Sequence, residues 1–198
     1  MSDKLIVTDC DGVLLDWEKA FHEWMNYRDY ELIKEGPRNT YHFEDSFGIT
    51  RDRGKELVSY FNESAAIGYL EPFRDAVAGV RELVSRGYKF DVVTSLGTYG
   101  PSVKLREYNL KQVFGEDSFR NIVCIGLGED KYDYLEEHYG DSGLYWIEDK
   151  FSNSIDGAKV GLKSILMEHL HNKNFQSVLE IRRAADWSEI VKIIEKGD

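Results

Sequence analysis

The chain has 198 residues, 42% of them hydrophobic and 31% charged, with a formal net charge of −11. That length allows one domain with a sizeable core and an insertion. The acidic balance excludes a non-specific nucleic-acid binder, which needs a basic surface, and no apolar run reaches the roughly 20 residues of a membrane span. The global field gives an anionic ligand no help, so any phosphate must be held by local cations or backbone N–H groups.

In chain order, Leu5-Ile6-Val7-Thr8 is a short apolar run that predicts a buried strand. It runs into Asp9-Cys10-Asp11-Gly12. Side chains alternate along a strand, so Asp9 and Asp11 leave on the same side. Two such carboxylates repel unless a cation sits between them, and Gly12 lets the backbone turn there. The N-terminus leads straight into this strand, leaving no room for a signal peptide. Cys10 and Cys124 both sit in predicted strands, which argues against a disulfide framework. A cytoplasmic protein with reduced thiols is expected.

Asp16 is an N-cap for an amphipathic helix predicted over 17–35, with Trp17, Ala20, Phe21, Trp24 and Met25 at spacings of three and four. Gly36-Pro37-Arg38-Asn39 stops it. Residues 41–50 are aromatic and irregular and receive no assignment. A second helix is predicted over 52–62, after which Glu71-Pro72-Phe73 breaks the pattern. From Arg74 the texture changes. Helices are predicted over 76–84, 101–109, 130–139 and 152–158, and strands over 88–93, 121–125, 144–147 and 162–167. Asp186 caps a closing helix with Trp187, Ile190, Val191 and Ile194 on one face; 168–185 stays unassigned.

Alternation of strand and helix predicts an α/β fold, a Rossmann-like three-layer parallel sheet with crossover helices. Residues 16–73 interrupt it and are too long for an ordinary connection. They read as a small helical cap inserted after the first strand, with 1–15 and 74–198 as the core.

Ligands of open parallel sheets bind beyond the carboxyl ends of strands. Those ends carry Asp9 and Asp11, then Thr94 and Ser95, then Lys131 beyond Gly126-Leu127-Gly128, then Glu148 and Asp149. The acids suit a hard cation such as Mg²⁺; the hydroxyls and the lysine suit phosphate oxygens.

This ordered set resembles the four motifs of the haloacid dehalogenase (HAD) superfamily: Asp9-Cys10-Asp11-Gly12-Val13, Thr94, Lys131 and Glu148-Asp149. The resemblance implies Mg²⁺-dependent hydrolysis of a small phosphomonoester through an aspartyl-phosphate. Asp9 would be the nucleophile, Asp11 the general acid and base, and Thr94, Ser95 and Lys131 the phosphate-binding residues. Mg²⁺ would be held by Asp9, the Asp11 backbone carbonyl and Asp149, with Glu148 acting through water. Dehalogenases of the superfamily usually lack the second aspartate, so Asp11 points to phosphate chemistry. The short cap, the Asp-Gly-Val-Leu-Leu-Asp-Trp opening and the Trp-Ile-Glu-Asp motif look most like 5′(3′)-deoxyribonucleotidases. That implies a cap aromatic stacking on the base, Phe43 or Phe47.

Alternatives stay open. A sugar-phosphate phosphatase or phosphomutase of the same superfamily fits the motifs equally. A phospho-acceptor signalling module also uses acids, a threonine and a lysine, although its acceptor follows the third strand. Expected partners are a small phosphorylated substrate, with no nucleic-acid polymer and no membrane. Lys150 rivals Lys131. Cys10 should point away from the acids and serve packing. His169 and His171, placed on one face of a strand, lack a third donor for zinc. Tyr41, Phe43, Phe47, Tyr60 and Phe61 are read as cap core.

Overall fold

The computed structural model describes residues 4–33, 43–175 and 180–197. Among these, β1 (Lys4–Thr8), β2 (Tyr88–Thr94), β3 (Phe119–Cys124), β4 (Tyr145–Glu148), β5 (Lys163–Met167) and β6 (Arg182–Ala184) form one sheet. Its order is β3-β2-β1-β4-β5-β6, and every neighbouring pair is parallel. The chain winds outward from β1 through β2 to β3, then crosses back to β4 on the other side. The switch point therefore lies between β1 and β4, where a crevice opens beyond the strand ends.

The central strands are buried continuously over successive residues, because both sheet faces are covered, and their side chains alternate between two apolar clusters. Ile6, Phe90, Val92, Ile147 and Ile165 enter one apolar cluster with residues of α4 (Ala76–Ser85) and α8 (Trp187–Lys196). Val7, Val93 and Trp146 enter a second with Leu135 and Tyr139 of α6 (Tyr132–Tyr139). Helices α5 (Gly100–Phe114) and α7 (Phe151–Lys159) complete the crossovers. The result is the expected three-layer α/β architecture.

Between β1 and α4 the chain forms α1 (Trp17–Asn26), α2 (Phe43–Phe47) and α3 (Arg51–Asn62). Asp16 and Thr50 cap α1 and α3 by accepting from the amides of Lys19 and Arg53. Trp17, Phe21, Trp24, Phe43 and Phe61 hold these helices together in a net of stacked and edge-on rings. The segments leading into and out of them pair antiparallel: the Phe73 amide donates to the Leu14 carbonyl at 2.8 Å, and the Asp16 amide to the Glu71 carbonyl at 2.9 Å.

Three expectations need correction. The helix predicted over 17–35 ends at Asn26, because Asp29 takes a left-handed φ of 61° that a helix cannot continue; residues 34–35 and the Gly-Pro stop lie outside the described residues. The helix predicted over 101–109 runs on to Phe114, where Gly115 (φ 93°) ends it. The unassigned stretches contain a short helix, α2, and the sixth strand, β6. Tyr41 lies outside the described residues, and Tyr60 is 53% exposed rather than part of a core. Cys10 lies just past β1. Both cysteines are free thiols, and no described helix is long and apolar enough to cross a membrane.

Candidate active site

The carboxyl ends of β1, β2 and β4 open into a cavity of about 750 Å³ roofed by α1, α2 and α3. Its floor is built from charged side chains that interlock. Lys131, at the start of α6 and 2% exposed, places its Nζ 2.8 Å from Asp9 Oδ1 and 2.9 Å from Glu148 Oε2. The Cys10 amide also donates to Asp9 Oδ1, at 2.7 Å. Lys131, not Lys150, is the lysine beside Asp9. Thr94, at the end of β2, is buried and lines the cavity with Ser95.

Glu148 is fully engaged. Its Oε1 accepts from the amides of Asp149 and Lys150, both at 3.0 Å; its Oε2 accepts from Lys131 and, at 3.1 Å, from Asn153 Nδ2. Four donors thus share the two oxygens of Glu148. Its role is to fix Lys131 and the Asp149–Lys150 turn.

The electrostatics follow from burial. Desolvation and the neighbouring Glu148 charge push the Asp9 carboxyl well above its usual range, against the pull of Lys131. Asp149 is raised likewise by burial, Glu148 and Asp9. Burial also opposes the charge of Glu148, yet Lys131 and the Lys150 amide hold it low. Lys131 is desolvated too, but Asp9 and Glu148 keep it protonated. Three carboxylates thus share a buried space with one lysine, a surplus of negative charge that a cation would relieve. Asp9, Glu148 and Asp149 each bring a carboxylate oxygen within 4.8 Å of the others, a donor set suited to a hard dication such as Mg²⁺.

Asp11 lines the cavity, but its carboxylate turns to Arg106 of α5, which sequence reasoning missed. Arg106 Nη1 and Nη2 reach the two Asp11 oxygens at 2.5 and 3.1 Å. The guanidinium is wholly buried and also donates to Cys10 Sγ at 2.8 Å. Cys10 is therefore a packed thiol whose ionisation burial opposes.

His169 and His171 are not on a strand. They lie in the turn after β5, in the same cavity, and Asp149 stands beside both. His169 Nε2 is 2.7 Å from the Gly12 carbonyl oxygen and 4.0 Å from Asp149 Oδ2; His171 Nε2 is 3.6 Å from that same carboxylate oxygen. Buried Asn172 fastens the turn, its Nδ2 donating to the carbonyls of Asp149 and Met167 at 2.7 Å each. Desolvation lowers His169 to about 4, and lowers His171 as well.

Of the two aromatics proposed to stack on a base, Phe43 is half-buried and lines the cavity. Phe47 does not: it is 5% exposed and packs edge-on against His22 in the interior of the inserted helices. Trp17 lines the cavity instead, its indole donating to Asn62 Oδ1 at 2.9 Å, while Asn62 Nδ2 donates to the Leu96 carbonyl at 3.1 Å. That chain of bonds ties the roof to the loop after β2. Arg51 and Lys55 bring positive charge to the roof, and Asp16, Glu18 and Glu44 bring negative charge beside them.

No protein-family model matches the sequence. It is 28% identical over 131 residues to an uncharacterized 32.4 kDa protein of the Gp30-rIII intergenic region of Enterobacteria phage T4; the match takes in 60% of this chain and 44% of that protein. Solved structures are similar over nearly the whole length. A haloacid dehalogenase-like family hydrolase of Streptococcus pneumoniae matches with a TM-score of 0.66 at 18% identity, over 98% of this chain and 99% of its own. A predicted phosphatase from Clostridium acetobutylicum matches with 0.65 at 18% identity over the same shares. A magnesium-bound HAD-hydrolase of Bacillus subtilis, YfnB, matches with 0.61 at 12% identity, over 98% and 99%. With strand order, switch point and neighbours in agreement, this chain has the Rossmann-like fold of the HAD hydrolases.

Proposed function

We propose that the protein is a Mg²⁺-dependent phosphatase that hydrolyses a small phosphomonoester through an aspartyl-phosphate on Asp9. The observation that carries this reading is the Asp9–Lys131–Glu148 arrangement beside Asp149 on the cavity floor. Mg²⁺, when bound, would neutralise phosphate charge locally in a chain that is acidic overall; Asp9, Asp149 and the Asp11 backbone carbonyl would hold it.

The chain's own groups divide the work. Asp9 attacks phosphorus with the oxygen that Lys131 does not engage. Lys131 spreads positive charge over Asp9 and the incoming phosphoryl oxygens, and Thr94 and Ser95 present hydroxyls to those oxygens. Asp11 protonates the leaving group and then takes a proton from the water that cleaves the intermediate. Arg106 holds Asp11 at the cavity edge, so the ion pair must loosen for the acid step. The roof closes over the substrate and limits water access.

Phe43 and Trp17 at the roof, with Arg51 and Lys55, support a nucleoside monophosphate as substrate: a base to stack and an anion to hold. This is the 5′(3′)-nucleotidase form of the proposal. A sugar phosphate would use the same floor without the rings.

The test is a substrate panel of aryl phosphate, nucleotides, sugar phosphates and 2-haloacids, with and without Mg²⁺. Phosphate release that requires Mg²⁺ and disappears in Asp9→Asn supports the reading. Halide release without phosphatase activity overturns it. A phosphoprotein persisting for minutes after a small phosphodonor is removed would indicate a signalling acceptor instead.

A further inference from the structure

The strand-end acids account for one side of Asp149. Its other side faces two imidazoles that the phosphatase reading leaves unused. His169 and His171 lie 4.0 and 3.6 Å from Asp149 Oδ2 through their Nε2 atoms, and all three side chains are mostly buried, at 11%, 14% and 14% exposure. The rings stack on each other with centroids 5.0 Å apart, and His169 also stacks on Phe73 at 4.8 Å, so their orientations are fixed by packing.

The space between these groups is kept open by the backbone. A Cβ on Gly12 would fall 2.6 Å from Asp149 Oδ2 and 3.4 Å from His169 Nε2. The absence of a side chain at residue 12 therefore leaves a cradle lined by two nitrogens, a carboxylate oxygen and the Gly12 carbonyl. Two imidazole nitrogens and a carboxylate within 4.8 Å of one another form a donor set for a metal ion. Nitrogen ligands favour first-row transition dications over Mg²⁺, which takes oxygen.

We propose that Asp149, His169 and His171, packed around the side-chain-free face of Gly12, form a second metal position that takes a transition dication such as Zn²⁺ or Co²⁺. It adjoins the oxygen-only position of Asp9 and Asp149 and shares the Asp149 carboxylate with it. His169 Nε2 and His171 Nε2 now face the carbonyls of Gly12 and Asp149 as hydrogen-bond donors; on metal binding each ring's proton moves to Nδ1 and the Nε2 lone pair turns to the ion. No net proton is lost from either neutral ring.

The test reads metal binding, not turnover, so it stands apart from the fate of the phosphatase reading. Metal-stripped full-length protein is titrated with Co²⁺, with visible absorption recorded and a background of millimolar Mg²⁺ included. The wild type should bind Co²⁺ with the strong d–d bands of a nitrogen-containing, low-coordinate site, and Mg²⁺ should not displace it. His171→Ala and His169→Gln, the latter retaining a donor for the Gly12 carbonyl, should each weaken Co²⁺ binding by about 10²-fold and abolish the bands. Equilibrium dialysis with Zn²⁺ should show the same loss, and circular dichroism checks that each variant is folded. The proposal is overturned if folded variants bind Co²⁺ and Zn²⁺ as the wild type does. It is equally overturned if wild-type Co²⁺ shows only the weak octahedral spectrum and Mg²⁺ displaces it.

Discussion

The floor and the roof of the cavity are built on different physical terms. The floor is charged and buried, and almost every charge has its partner set: Glu148 with four donors, Lys131 between two carboxylates, Arg106 on Asp11. The roof is held by ring packing and one short hydrogen-bond chain; its basic residues, Arg51 and Lys55, are exposed, and its acids, Glu18 and Glu44, are half-buried. A buried charge cannot be altered without stranding its partner, whereas a roof side chain can change at small cost. The proposed division follows: chemistry in the floor, substrate selection in the roof.

Asp9, just past β1, and Asp91, inside the neighbouring β2, make the same point. Both are buried. Asp91, inside β2, receives donors from Arg120, Asn121 and Tyr139, which leaves it a structural group. Asp9 instead sits near two more carboxylates, a crowding that a metal cation would relieve.

The largest effect expected is at the floor. Asp9→Asn should reduce phosphate release by at least about 10³-fold. Retained activity would break the floor's claim to the chemistry.

Lys131→Met comes next. It leaves Asp9 and Glu148 facing each other without their cation and should cost about 3 kcal/mol or more in chemical denaturation. Turnover of the folded fraction should fall by roughly 10²-fold.

The pH dependence of stability sharpens the picture of the His169 turn. Its folded pKa of about 4 lies below the ordinary histidine value near 6.5. The native state thus binds fewer protons in that window, and the contribution present above pH 6.5 is lost as pH falls toward 4. Metal-free wild type should lose on the order of 2 kcal/mol more than His169→Gln across this range, a comparison in which the shifts at Asp9 and Asp149 largely cancel. Parallel denaturation curves for the two proteins would refute it.

Arg106→Lys replaces a bidentate guanidinium by a point charge. It should lower kcat by about tenfold and move the pH profile of kcat/KM, as expected of a residue that positions Asp11. A change in KM alone would assign Arg106 to structure. The smallest effect is expected in the roof: Phe43→Ala should raise KM for nucleotides by roughly threefold to tenfold and leave aryl phosphate nearly unaffected. Equal effects on both would remove the distinction between floor and roof.

Local pattern made much of this protein readable. Apolar runs ending in acids, hydroxyls and a lysine announced the strands of a parallel sheet and the side chains at their ends, because strand periodicity and the switch-point rule act over short distances. Asp9, Thr94, Lys131 and Asp149 were legible in this way. Arg106 was not: it is one polar residue in the middle of a helix, and only the packing of α5 against the loop after β1 brings it to Asp11, 95 positions away. The four donors that hold Glu148 come from three segments of the chain and cannot be read from its place at a strand end. Phe47 and Phe43 look alike as residues, and only the fold sends one inward and the other to the cavity.

The amino-acid sequence by itself determined the fold class and the identity of the strand-end groups, since both arise from alternation and turn chemistry within a few residues. Tertiary structure alone decided which groups are already satisfied, which face one another across the switch point, and that His169 and His171 find their third donor in Asp149. Those outcomes depend on contacts between segments far apart in the chain, and burial then sets the charge each group can carry.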